Sequence, residues 1–129
     1  MKKLSAYTDH AYSSLRIVAG FMFLFHGAQK ILGLFMTHPM PELGSQIWIG
    51  GLIELVGGLL IMIGLFTRWA AFLASGTMAV AYIQFHWKFQ LGSMILPLIN
   101  QGEMAVLYCF VFLLIACNGA GKWGLEKAD

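Results

Sequence analysis

Apolar residues run almost unbroken through four stretches of the chain, Leu15–Met36, Ile47–Phe66, Trp69–Phe85 and Glu103–Cys117, separated by short polar or proline-bearing segments. Each stretch is near the length of about 17–25 residues that spans or nearly spans the hydrocarbon of a bilayer. Inside a bilayer every backbone group must bond within its own segment, so the pattern predicts four helices. The connections order them. Thr37 to Glu42 carries Pro39 and Pro41, which stop a helix from continuing. Thr67-Arg68 leaves only a tight turn, so the second and third stretches are antiparallel neighbours. The third connection, Trp87 to Gln101, is long and apolar, and either lies along the interface or dips into the membrane. The expectation is an all-α integral membrane four-helix bundle, up-down-up-down, forming one domain over residues 1–129.

Composition agrees: of 129 residues, 59% are apolar and only 11% charged, with a mean hydropathy of +0.75. That leaves too little polar surface for a small water-soluble domain. Lys2, Lys3, Arg68, Lys122 and Lys127 fall on one side of the four-helix topology and only Lys88 on the other, so the positive-inside rule puts both termini in the cytoplasm. The first 14 residues hold no short apolar core with a small-residue cleavage site, so the first stretch is expected to remain as an anchor.

Small residues suggest how the helices pack. Gly50, Gly57 and Gly64 recur every seven residues with Gly51 and Gly58 beside them, and Ala70, Ala71, Ala74, Ser75 and Ala79 offer a matching face on the third stretch. Cys109 and Cys117, eight residues apart on one helix, lie about 12 Å apart along its axis, beyond disulfide reach, and are expected to be packing residues.

Charges inside the apolar runs carry the candidate chemistry. An ion in hydrocarbon costs at least about 2.5–3.5 kcal/mol, so Lys30 and Glu54 call for a partner or a polar cavity. On a helix rising from the cytoplasmic side, Arg16 lies low, where it either snorkels to the headgroups or points inward with its stripe, while His26 and Lys30 come about 15 and 21 Å higher. The second helix descends, which places Glu54 about 10 Å below its outer end, level with them. Gln84 and His86 end the third helix at that level, and Asn100-Gln101-Gly102-Glu103 opens the fourth. Arg16, Gly20, Phe23, Gly27 and Lys30 share a stripe about 80° wide, with His26 on its flank. An ion pair between Lys30 and Glu54 is expected, within one outer-half pocket lined by His26, Lys30, Glu54, His86 and Glu103, with Arg16 and Arg68 outside it.

The ordered set Leu15-Arg16, His26-Gly27-Ala28-Gln29-Lys30, Glu54 with Gly57-Gly58, Gly64-Leu65-Phe66-Thr67-Arg68-Trp69-Ala70-Ala71, His86, Gly102-Glu103 and Gly119-Ala120-Gly121 resembles the DoxX family of small bacterial four-helix membrane proteins. The resemblance spans nearly the whole chain. The tail reads Trp123-Gly124-Leu125-Glu126, where the family usually ends in tyrosine-serine-leucine-aspartate. The resemblance implies a bacterial inner-membrane protein related to the small subunits of thiosulfate:quinone oxidoreductase. The chain has no flavin or nucleotide fingerprint, haem attachment motif or cluster-ligand spacing, so the expected redox carrier is borrowed and no cofactor is intrinsic. A quinone is the candidate. His26, Lys30 or His86 would donate to its carbonyls, while Phe23, Trp48 and Tyr82 pack its ring and tail. Haem between His26 and His86 is a remoter alternative.

Two readings of function follow. One is a membrane subunit of an oxidoreductase system that binds quinone or a small oxidisable molecule in the outer half. The other is a non-enzymatic scaffold or assembly factor for a partner complex. Transport is weaker, because four short helices leave little room for alternating access. The expected partners are the lipid bilayer, partner redox proteins and further copies of the chain. Nucleic acid is not among them.

Overall fold

The structure, a computed structural model, describes residues 2–127. After one turn at Lys2–Ser5, four longer helices follow: α1 (Thr8–Leu32), α2 (Gln46–Ile63), α3 (Thr67–Ala81) and α4 (Glu103–Asn118). α3 passes directly into a π-helical segment, Tyr82–Trp87, and the chain then makes a 3-10 turn at Gly92–Ile95 and an α-turn at Pro97–Asn100. No strand occurs among the described residues.

The helix ends depart from the apolar runs for local reasons. α1 begins at Thr8, well before Leu15, because its early polar side chains bond back into its own backbone. Ser13 Oγ donates to Asp9 O at 2.9 Å and Ser14 Oγ to His10 O at 2.9 Å. It stops at Leu32, short of Met36, where Gly33 turns left-handed at φ 67° and the N–H groups of Gly33 and Leu34 return to Gln29 O and Ala28 O. α2 starts one residue before Ile47, capped by Ser45, whose hydroxyl accepts from Trp48 N. It ends at Gly64, left-handed at φ 71°, rather than at Phe66. Thr67-Arg68, expected as the turn, forms instead the first turn of α3. α4 runs one residue beyond Cys117.

Neighbouring helices run antiparallel. α1 and α2 close on glycine: a Cβ on Gly20 would lie 2.8 Å from Gly58 O, and one on Gly27 would lie 2.6 Å from Gly51 O and 2.1 Å from Leu55 N. The seam is therefore Gly20 and Gly27 against Gly58 and Gly51, not the Gly50–Gly57–Gly64 row. A Cβ on Gly57 would meet only Ala70 O of α3, at 4.0 Å, and Gly64 ends the helix. The small face of α3 meets α4 instead, where Ser75 Oγ donates to Cys109 O at 2.8 Å. Phe23, Ile61, Ala71, Ala74, Phe112 and Ile115 fill the centre.

The distribution of side chains is inverted relative to that of a water-soluble domain. Arg16 and Glu54 are 0% and 4% exposed, while Trp69, Phe72, Leu107 and Phe110 are 62–79% exposed on the flanks. α1 and α2 are each long and apolar enough to cross a membrane, and α4 is a shorter apolar helix.

Candidate ligand groove

Lys30 stands in the last turn of α1 and Glu54 in the middle of α2. The glycine seam brings them together: at Gly51, one turn before Glu54, a Cβ would lie 2.7 Å from Lys30 Cβ. Because Gly51 lacks that atom, the lysine stem passes over the α2 backbone, and Nζ reaches Glu54 Oε1 at 2.6 Å and Oε2 at 2.7 Å. Glu54 is almost wholly enclosed and Lys30 about a third exposed. An ammonium with two protons directed at one carboxylate keeps a further N–H for another acceptor.

That donor borders an open space. A groove of about 550 Å³ runs between α2 and α3, walled by Ile47, Ile53, Phe72, Leu73, Val80 and Phe85 among others, with Lys30 and Glu54 its charged members. Gln46, another lining residue, hydrogen-bonds Gln84 of the π-helical segment and ties the two walls together at the α2 N-terminus. Gly50 and Gly76 also line the groove, and nothing lies within 4 Å of where either Cβ would stand. A groove of this form can hold an apolar body with a hydrogen-bond acceptor at one end.

The other three expected site residues stay outside the groove. His26 is exposed one residue from the seam glycine Gly27, sets its ring edge-on to Tyr108 at 6.3 Å, and borders a separate cavity of about 140 Å³ with Phe25, Gln29 and Phe35. His86 lies where α3 has become π-helical, so the 100° per residue that extrapolates a face along α3 fails from Tyr82 onward. Its Nδ1 is 3.2 Å from Asn100 O and its ring stacks on Tyr82. Glu103 is exposed in the first turn of α4. The expected ring-packing residues are elsewhere too: Phe23 is sealed among Tyr108 and Phe112, the Tyr82 hydroxyl donates to Ile95 O, and Trp48 is half-buried outside the groove lining. No group of three or more potential metal-ligating side chains occurs among the described residues.

Sequence reasoning missed the polar residues that hold the opposite end. Of the two placements open to Arg16, the structure has the inward one. Fully buried, it donates from Nη1 to Ile61 O and Met62 O, each at 2.7 Å, and from Nη2 to Lys122 O at 3.3 Å. It thus bonds carbonyls of the last turn of α2, Ile61 O also accepting from Gly64 N at 3.3 Å, where a cation is also favoured by the helix dipole. Arg68 serves α4 in the same way, bonding Ala116 O and Cys117 O, and the Tyr12 hydroxyl donates to Gly119 O at 2.5 Å. The tail completes the arrangement. Leu125 N and Glu126 N donate to Ile63 O and Gly64 O, and Glu126 Oε1 accepts from Thr67 N at 3.1 Å, supplying α3 with the cap that Phe66 cannot. The sequence signal was the position of Arg16 and Arg68 opposite the ends of apolar helices.

The fold and this ion-paired groove define a small all-helical protein with polar groups held inside an apolar exterior. The DoxX family profile matches residues 11–87, which cover most of α1 and all of α2 and α3 with Lys30, Glu54 and His86. A protein of Haemophilus influenzae described as an uncharacterized protein is 39% identical over 130 residues, covering 98% of this chain and 96% of that one. The chain belongs to the DoxX family, a membrane-associated family. No solved structure matches it.

Proposed function

We propose that the protein is a multi-pass membrane subunit of an oxidoreductase system, that its four helices span the bacterial inner membrane with both termini cytoplasmic, and that it binds a quinone or a small oxidisable molecule in the groove between α2 and α3. The exterior supports the membrane placement: aromatic and aliphatic side chains face outward on every long helix while Arg16 and Glu54 are enclosed. One observation carries the ligand reading. The bidentate Lys30–Glu54 pair stands beside an apolar groove of about 550 Å³, with an ammonium N–H left to donate to a carbonyl oxygen. Its site residues are Lys30 and Glu54. His26 and His86, nearer the surface, would exchange protons with the aqueous side, and Glu103 would attract cations to the same face. A partner redox protein would supply the electrons to a bound quinone, or accept them from a bound oxidisable molecule.

A test is titration of decylubiquinone into the protein in nanodiscs, read by tryptophan fluorescence. Saturable quenching in the wild type that is weakened about tenfold or more by Lys30→Met supports the reading. Quenching that grows linearly with quinone and is equal in both proteins reflects partition into lipid and removes it. The scaffold reading draws on a separate observation: Phe89, Leu91 and Leu98 of the long connection are 68–85% exposed, an apolar surface that a partner complex would cover. Stoichiometric co-purification of a partner without quinone binding favours that alternative.

A further inference from the structure

Glycine inside a helix forfeits stability relative to alanine and is normally explained by a neighbour that leaves no room for a methyl group. Gly20, Gly27, Gly51 and Gly58 have that explanation in the α1–α2 seam, and Gly64 has it in its left-handed φ. Three helical glycines lack it: Gly57, whose Cβ would meet only Ala70 O at 4.0 Å and which does not line the groove, and the pair Gly50 and Gly76. Both lie inside helices, both line the α2–α3 groove from opposite walls, and the space where a Cβ would project is open at each.

Their placement is specific to the charged end of the groove. Gly57 approaches Ala70 and Gln46 bonds Gln84, so the antiparallel register sets Gly76 opposite the turn from Gly50 to Glu54. Each missing side chain leaves the groove wider beside the Lys30–Glu54 pair than any other residue would. An occupant that presents an acceptor to Lys30 Nζ must place the atoms carrying that acceptor in this widened section. A single acyl or isoprenoid chain would not need the width. A ring would.

We propose that Gly50 and Gly76 are specificity-determining positions that seat the ring of a carbonyl-bearing, lipid-soluble ligand against the bare backbones of α2 and α3, with the ring carbonyl accepting from Lys30 Nζ. This rests on the reading of the groove as a ligand seat. It adds the class of head group and two residues that set its size. A methyl at either position enters the space of the ring without touching the protein, so stability and binding move in opposite directions.

The experiment uses the full chain in nanodiscs with decylubiquinone as probe, comparing wild type with Gly50→Ala, Gly76→Ala and Gly57→Ala. Gly57 shares α2 but is absent from the groove lining, and its Cβ position has 4.0 Å of clearance. Thermal melts of ligand-free protein are expected to rise or stay level in all three, since alanine favours the helix and meets no clash. Quinone affinity is expected to fall by about tenfold in Gly50→Ala and Gly76→Ala and to stay at the wild-type value in Gly57→Ala. Equal affinity in all four proteins overturns the seat while leaving the groove as a binding site. Equal loss in all three assigns the effect to helix propensity and overturns it as well. Absence of saturable binding in the wild type defeats the groove reading itself, and the seat with it.

Discussion

Removing the Glu54 carboxylate leaves the Lys30 ammonium in an apolar setting with its two closest acceptors gone, and removing Lys30 leaves a nearly enclosed carboxylate without its donor. Loss of one member of a buried pair costs about 3–5 kcal/mol, whereas replacing both by groups of similar volume is far less damaging. Lys30→Met and Glu54→Gln should therefore each lower thermal stability strongly, and the double variant should lose clearly less than the sum of the two. Additive losses would show that the two side chains do not interact. Arg16 makes a sharper case, because it is fully buried and two of its bonds go to backbone carbonyls at the C-terminus of α2. Arg16→Met should cost about 3 kcal/mol or more, since hydrogen bonds from charged donors contribute about 1.5–3 kcal/mol each. Arg16→Lys should recover little of that loss, because a lysine cannot spread donors over the ends of α2 and the tail. Chemical denaturation of the two variants in detergent checks this, and full rescue by lysine would reduce the role of Arg16 to charge alone.

At the scale of the helix, steric contact separates glycines that the sequence presents alike. A methyl on Gly27 would stand 2.1 Å from Leu55 N and one on Gly58 would stand 2.4 Å from Leu24 N, both backbone atoms that can move only if the helices part. Gly27→Ala and Gly58→Ala should lower the melting temperature and weaken the Lys30–Glu54 contact, while Gly57→Ala should not. If all three melt alike, the seam is not a close backbone contact. Here the limits of sequence reading have physical causes. Four apolar runs identified four helices, and Lys30 with Glu54 identified the pair, because the cost of an isolated ion in an apolar setting is large wherever the helices finally sit. Helix ends were less legible. Ser13 and Ser14 bond to their own helix and extend α1 through polar residues, and Gly33 ends it inside an apolar run. The face of His86 was not legible at all, since extrapolation along α3 assumes α-helical rotation and the chain becomes π-helical at Tyr82. Nor could the sequence choose between Gly50 and Gly51, neighbours on one helix of which Gly51 meets Lys30 and Gly50 faces open space.

Across the whole molecule, the two ends of the helix assembly differ in kind. One end is fastened: Tyr12, Arg16, Arg68 and Glu126 bond backbone groups at the ends of α2, α3 and α4, and the tail joins them, Lys122 O accepting from Arg16 and Leu125 N and Glu126 N donating to Ile63 O and Gly64 O. Lys122 lies there too, near Asp9 at 3.8 Å. The other end carries the groove mouth, the π-helical segment and the long connection, and outside the helices its one lysine or arginine is Lys88. Lysine and arginine in short segments flanking membrane helices are retained on the cytoplasmic side. The fastened end, with Lys3, Arg68, Lys122 and Lys127, is thus expected in the cytoplasm and the groove in the outer half of the membrane. A fluorescent reporter fused after Asp129 should be bright and a phosphatase fused at the same point inactive, with the reverse pattern for fusions in the connection near Gln90. The Arg16 and Arg68 contacts do not depend on which side they occupy, so an inverted result would leave the fold intact. It would instead move the Lys30–Glu54 groove to the inner leaflet, where a ligand would have to exchange protons with the cytoplasm.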